Sequence, residues 1–573
     1  MSIQRTTSSL GKQLGITDEK LSYRYDLLWR LTRELTPSGA LHYEYDPLSN
    51  LTTLTLPDGR QVNHLYYGSG HLHQLNLDGQ VISDMERDDL HREVYRTQGK
   101  LTSCFGYDAM GRKAWQFAST LPADKLSQVH NPGINTSLLV EHAYNPIHRR
   151  YQYDPAGELV RTLDKLRGEI KYEYEANGQL HSRDTGSLVG SEEFRYDAAA
   201  NRLDFNARQF DKVQDNRIKR WRDQEYRYDP WGNLIEKRSG HSKLQNFSYD
   251  CENRLVRAET LVNGKLASTG EYRYDSLGRR VAKQSEINGI TEQKHFLWQG
   301  LRMLREETPE QSILYCYEPG SHAPLARVDQ AEGEGQKVYY FHTDQIGTPL
   351  ELSDSEGKIV WQATYRCWGA IEQLTIDQVE QNLRFQGQYY DAESALHYNT
   401  FRYFDAEIGR FTTQDPIGID GGINLYFYAP NPIAWVDPLG WVAETAPGYF
   451  VYALYDKGVK DPYYIGITDN VTRRRGEHAA SGRLNGGKMK VLDRNVTYGQ
   501  ARGYEQAYIE HHGTKTGVVG EAISDTNRGN KINSYDHQSK TRSAGRQQYF
   551  ENSFNEKTSA LGSRKSTSSA IAC

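Results

Sequence analysis

The sequence predicts a β-rich repeat array of antiparallel strands followed by a small α+β unit. Three observations carry that prediction. A Tyr-Asp pair recurs through the first half of the chain. The 573 residues combine 40 Tyr and 50 Gly with only 37% apolar residues, which suits many short strands and turns and argues against a helical bundle or a disordered chain. Past residue 441 the repeat pattern stops and the charge changes sign. Residues 442–573 hold 19 Lys+Arg against 13 Asp+Glu, and residues 1–441 hold 50 against 61. A basic part on an acidic body points to different partners, and a basic surface favours polyanions.

The repeat begins at Tyr25-Asp26 and returns at Tyr45-Asp46, Tyr107-Asp108, Tyr153-Asp154, Tyr196-Asp197, Tyr228-Asp229, Tyr249-Asp250 and Tyr274-Asp275, with degenerate copies at Tyr67-Gly68 and Tyr174-Glu175. Period-two alternation precedes the pair, as in Tyr226-Arg227-Tyr228, and turn residues follow, as in Asp275-Ser276-Leu277-Gly278. The unit is therefore strand, tight turn, strand. One hairpin cannot bury its aromatic face alone, so the units must share a continuous sheet. The five Cys are scattered, without metal-ligand spacing or a disulfide framework. No run of eighteen apolar residues exists, and the polar opening has no apolar stretch. Neither a membrane-spanning helix nor a signal peptide is expected.

On these pairs, residues 20–440 resemble the YD-repeat (Rhs) family. The resemblance implies a spiralling antiparallel β-sheet shell over residues 1–330, as a partial array that encloses a C-terminal toxin. Residues 331–441 are similar to the family's core-terminal domain, through Tyr403-Phe404-Asp405, Gly409-Arg410-Phe411, Asp415-Pro416-Ile417-Gly418 and Asp437-Pro438-Leu439-Gly440-Trp441. The family pattern has Leu where Trp441 stands. The resemblance implies aspartate-dependent self-cleavage near Trp441, with Asp415 as first candidate and Asp405 or Asp437 as its partner. Two carboxylates sharing a proton can serve as base and acid.

In the unit from 442 to 573, Tyr449–Tyr455 and Tyr463–Ile467 read as a hairpin. Asp469 or Asn470 is a candidate N-cap for a helix from Val471 to Ala480, with Arg474 and His478 on one face. A second helix is expected over about residues 500–512, stopped by Gly513, and a Ser/Thr-rich flexible tail from about residue 552.

This pattern resembles the GIY-YIG nuclease family. Phe450-Val451-Tyr452 stands where GIY belongs and Tyr464-Ile465-Gly466 where YIG belongs. The resemblance implies Tyr452 and Tyr464 as the general base or water-positioning pair. It implies Arg474 on the phosphate, His478 as proton relay and Glu505 as ligand of one Mg²⁺ or other divalent cation. For the family's late Asn, Asn527, Asn530 and Asn533 are in range, and Asn533 is preferred. A free tyrosine titrates near ~10, so a base role calls for a nearby cation, and Arg474 is the candidate. Gly466 is expected to let the backbone pass close to the tyrosines.

The leading expectation is an interbacterial toxin whose tip hydrolyses nucleic acid, DNA before RNA. The alternatives are a YD-repeat binding scaffold with an inactive tip, and a self-cleaving shell carrying a toxin of other chemistry. The family implies a cognate immunity protein and, for delivery, a secretion spike protein of a type VI apparatus. It also implies a secreted effector without signal peptide, made in the producer cytoplasm and acting in the target-cell cytoplasm, with no stable membrane insertion.

Overall fold

A computed structural model describes residues 2–9, 18–68, 70–121, 145–197, 199–204, 212–418, 424–440, 449–468, 471–480, 482–496, 498–518, 523–524, 526–531, 533–534 and 544–561. The chain divides into a body (residues 1–415, 423–434 and 438–440) and a C-terminal unit (416–422, 435–437 and 441–573).

Among the described residues the body holds a 17-stranded sheet, from Ser2–Arg5 to Arg202–Asp204, and a 16-stranded sheet, from Lys212–Gln214 to Ile371–Asp377. Consecutive strands pair antiparallel. The second sheet runs through residue 330 without a break, because Pro324–Ala331 pairs with Lys337–Thr343. The expected boundary there is a change of motif and not a change of sheet. A four-stranded sheet from Tyr389–Asp391 to Arg410–Phe411 follows.

The repeat motif has a mechanical explanation. Asp26 Oδ1 accepts the N–H groups of Leu28 (2.9 Å) and Arg30 (3.0 Å), and Oδ2 takes the Arg30 guanidinium at 2.6 Å. Between them Trp29 enters the left-handed region at φ 61°, where other copies place glycine, as at Gly278 with φ 82°. The tyrosine works in the other direction along the chain. Tyr45 donates its hydroxyl to the Leu31 carbonyl of the preceding strand at 2.8 Å, with the Arg30 guanidinium 5.0 Å over its ring. The same staple recurs from Tyr107 to Glu93 (2.7 Å), Tyr249 to Leu234 (2.8 Å) and Tyr274 to Leu255 (2.6 Å). The aspartate closes its own turn and the tyrosine fastens it to the hairpin before. The degenerate copy at Tyr174 keeps the staple, to Leu159 at 2.6 Å.

The two large sheets share a core in which Leu41, Leu54, Leu75 and Met85 of the first meet Leu304, Leu325 and Val328 of the second. Ion pairs fasten the sheets beside it. Glu351 is fully buried between Arg149 and Arg167, whose partner Asp164 completes a neutral cluster (Arg149–Asp164 2.9 Å, Arg167–Glu351 2.5 Å). Burial pushes the Glu351 carboxyl up, and the two guanidinium groups outweigh it and hold it below the usual range. Cys104, Cys316 and Cys367 are buried and unbridged; Cys573 lies outside the described residues. No described helix is long and apolar enough to cross a membrane.

The C-terminal unit contains a three-stranded antiparallel sheet. Strand β1 (Tyr449–Tyr455) is central, between β2 (Tyr464–Thr468) and β3 (Lys488–Val496). Helix α1 (Val471–Ala480) follows β2, and α2 (Tyr498–His512) follows β3. The expected N-cap residues Asp469 and Asn470 lie outside the described residues. Gly513 ends α2 at φ 65°. The expected flexible tail is corrected in part. Helix α3 (Ala544–Leu561) packs on α2 at Gly503, where a Cβ would sit 2.8 Å from the Phe550 carbonyl. Tyr504 of α2 locks the pair through Glu556 (2.7 Å), and Lys557 ties α3 to Asp493 of β3 (2.5 Å). Polar composition suggested fraying, but Phe550 and Ser553 are buried against α2.

Candidate active site

Tyr452 occupies the middle of β1, opposite Gly466 of β2, and Tyr464 opens β2. The glycine is needed for space. A Cβ on Gly466 would lie 2.4 Å from the Tyr452 hydroxyl oxygen and 2.9 Å from the Tyr464 ring. Helix α1 then delivers His478, whose Nε2 stands 2.7 Å from the Tyr452 hydroxyl. The Tyr464 ring centroid is 6.2 Å from that of Tyr452 and 5.3 Å from that of His478, so the three rings form one cluster. Arg474 is half-buried one helical turn before His478, and its charge acts on both tyrosines, on His478 and on Glu505.

Glu505 comes from α2 and is buried; Ser534 Oγ donates to its Oε2. Of the three late asparagines, Asn530 grips β2. Its Oδ1 accepts the Ile465 N–H at 2.9 Å and its Nδ2 donates to the Ile465 carbonyl at 2.7 Å. Asn530 thereby acts as a fourth strand in miniature beside Tyr464 and Gly466. Asn533, the preferred residue from sequence, is half-buried in the same segment, and Asn527 hydrogen-bonds to Val518 at 2.6 Å. Sequence spacing could not separate the three; only the loop's path does. Reading the sequence also missed Ser534 and Arg483. The Arg483 guanidinium lies 4.4 Å from the Tyr464 ring centroid, and no periodic pattern marks either residue.

Electrostatics set the protonation states. Burial raises the Tyr452 hydroxyl far above its ordinary value; Tyr464 and Glu505 add to this and Arg474 opposes it. Burial also raises Tyr464, with Glu505 adding and Arg483 and Arg474 opposing. Both tyrosines are protonated at neutral pH, so Arg474 does not produce the phenolate that the sequence suggested. Burial, then Arg483 and Arg474, push His478 down to about 4. His478 is neutral, and its Nε2 shares one hydrogen bond with the Tyr452 hydroxyl. Burial raises the Glu505 carboxyl, against Arg502, the Ser534 hydrogen bond and Arg474.

With Ser534 on Oε2, Glu505 offers Oε1 to a cation. One hard oxygen fits a largely hydrated divalent ion such as Mg²⁺. Among the described residues no group of three His, Cys, Asp or Glu is placed to enclose a metal.

The residues expected to carry self-cleavage have their own surroundings. In the body, Arg402 is buried, pairs with Asp415 at 3.1 Å and donates to the Gly440 carbonyl. Asp405 pairs with Lys237 at 2.8 Å, and both are buried. Asp437 is buried, and Trp441 lies outside the described residues.

Comparison with known proteins agrees with the repeat mechanics. Residues 152–424 match the teneurin YD-shell and residues 25–61 the RHS repeat. The chain is 39% identical over 470 residues to double-stranded DNA deaminase toxin A of Burkholderia cenocepacia, covering 78% of this chain and 32% of that protein. It is 29% identical over 442 residues to probable deoxyribonuclease RhsA of Dickeya dadantii, covering 73% of this chain and 29% of that protein. The chain thus spans about a third of the length of these relatives. A solved Tc holotoxin pore of Photorhabdus luminescens shares the fold over 77% of this chain and 23% of its own, with TM-score 0.51 at 18% identity. Through residues 25–61 and 152–424, the repeat body of this chain matches the RHS-repeat and YD-shell families.

Proposed function

We propose that this chain is an Rhs-family interbacterial toxin whose C-terminal unit hydrolyses DNA phosphodiester bonds by a metal-dependent mechanism of the GIY-YIG type. One observation carries the reading: the Tyr452 hydroxyl lies 2.7 Å from Nε2 of His478, with Tyr464 beside both. Attack on phosphorus requires a group that removes a proton from water. Tyr452 can accept that proton on its oxygen while passing its own to Nε2, so His478 is the final acceptor and no phenolate is formed in advance. Tyr464 walls the other side of the pair and orients the water. Arg474 offsets the charge that grows on the phosphate. Glu505 is the residue to hold the cation, which supplies charge neutralisation for the leaving oxygen.

Relatives that share the shell carry different chemistries in their names, a deaminase and a deoxyribonuclease. The tip must therefore be read from its own residues, and both names favour DNA over RNA. A nuclease made in the producer cytoplasm calls for a cognate immunity protein. Release in the target-cell cytoplasm fits self-cleavage near residue 441, with Asp415 activating water and Arg402 polarising the Gly440 carbonyl. Asp415→Asn should leave a single 65.6 kDa chain; a wild-type chain that also stays whole would end that part of the proposal.

The test of the nuclease is plasmid nicking by the full chain, with Mg²⁺ or with chelator, beside Glu505→Ala. The expected result is cleavage lost with the metal and reduced about 10²–10³-fold or more in the variant. Cleavage unchanged in Glu505→Ala, or none by folded wild type on DNA, overturns it.

A further inference from the structure

Two tyrosines adjacent in sequence each carry an arginine on the ring, and the two arginines are in opposite electrical situations. Arg528 lies 4.2 Å from the Tyr463 ring centroid and is neutralised by Asp456 through two bonds of 2.7 and 2.6 Å. Arg483 lies 4.4 Å from the Tyr464 ring centroid and, among the described residues, has no carboxylate partner. Its Nε–H is buried with no hydrogen-bond acceptor among the described residues. A buried, unmet donor on a permanent cation is costly unless a ligand meets it. The segment is nonetheless built to hold Arg483 in place. Its carbonyl accepts the Tyr463 hydroxyl at 2.8 Å, and the next residue, Leu484, donates its N–H to the His478 carbonyl at 3.0 Å. A guanidinium stacked on a ring keeps its N–H edge available for planar, bidentate recognition of an anion.

We propose that Arg483 is a substrate-binding residue of the C-terminal unit, its guanidinium receiving a DNA phosphate next to the Tyr452–Tyr464–His478 cluster. The assignment rests on the nuclease reading for the identity of the anion. The electrostatics agree, since the Arg483 charge already reaches His478 and Tyr464. Arg474 approaches the same rings from α1, so a phosphate there would meet two cations of separate origin. Arg483 is outside the pattern that pointed to Arg474 and comes from the loop after the helix.

The experiment uses the full chain carrying Glu505→Gln, which binds without cutting, and a short DNA duplex followed by fluorescence anisotropy over a salt series. Arg483→Gln should weaken binding about tenfold and lower the slope of log affinity against log salt by about one, the signature of one lost phosphate contact. Arg483→Lys should restore the slope, because the charge returns, and Arg528→Gln should leave it unchanged, because that charge is already paired. Unchanged affinity and slope in Arg483→Gln, or an equal fall in Arg528→Gln, overturns the proposal. Cleavage by the chain with Glu505 intact separates the two readings. Binding that depends on Arg483 without any cleavage removes the nuclease and keeps the phosphate site. Cleavage that is indifferent to Arg483→Gln in both KM and kcat removes the site and keeps the nuclease.

Discussion

The Tyr452 hydroxyl stands 2.7 Å from Nε2 of His478, within hydrogen-bond distance, and joins a central strand to a helix across 26 residues of sequence. Burial raises the tyrosine and lowers the histidine, so the pair rests as a neutral phenol beside a neutral imidazole.

If the pair acts as one unit, Tyr452→Phe and His478→Gln should each lower the nicking rate by about 10²–10⁴-fold. The double variant should be no worse than the more damaged single one. Single-turnover rates of the three variants check this; losses that multiply would show two independent roles.

Gly466→Ala should damage catalysis more than folding. The added methyl meets the Tyr452 hydroxyl and the Tyr464 ring, so the tyrosines must move and the Tyr452–His478 bond must stretch. A displacement of this size costs about 10²-fold in turnover, while overpacking costs only about 1–3 kcal/mol. Nicking rate and melting temperature, measured on one preparation, give both halves.

In the body, Glu351→Ala should be among the most destabilising single changes. It leaves Arg149 and Arg167 buried with only Asp164 between them. Breaking such a cluster from one side costs about 3–5 kcal/mol, which denaturant unfolding of the body would register as a lower midpoint with unchanged slope.

Stability should fall on mild acidification. Burial, with nearby arginines assisting, pushes His322, His342 and His397 down to about 3, and burial lowers His64 and His148 to about 4. The unfolded chain protonates these rings near ~6.5 and the folded one does not. Stability is therefore complete above pH ~6.5 and drains as pH falls towards 4 and below. Melting temperatures from pH 7.5 to 5 should decline, and His342→Gln, which can still reach Ser353 (2.8 Å in the native chain), should flatten the decline.

Much of the site was legible because it is local. Alternation placed Tyr452 and Tyr464 on paired strands, and helical spacing placed Arg474 and His478 on one face. Asn530 was not separable from Asn527 and Asn533, since a loop without periodicity gives no sign of which amide meets β2. Arg483 and Ser534 reach the site from the same kind of segment. Strand β3 escaped notice because Lys488–Val496 alternates charged and apolar residues only loosely, and the helix α3 because its burial is against α2 and not in its own pattern.

By itself the sequence determined the repeat body, the change of character past residue 441 and the identity of the tyrosine, histidine and glutamate candidates. The first two are properties of period, spacing and composition, which act over a few residues; the candidates came from the resemblance to the GIY-YIG family. The tertiary structure decided the burial around each titrating group, the partners of Arg528 and Arg483, and which asparagine grips β2. Burial and charge at a site are sums over segments remote in sequence: β1 and β2, α1, the Arg483 loop, α2 and the strand-like grip of Asn530 meet only after folding.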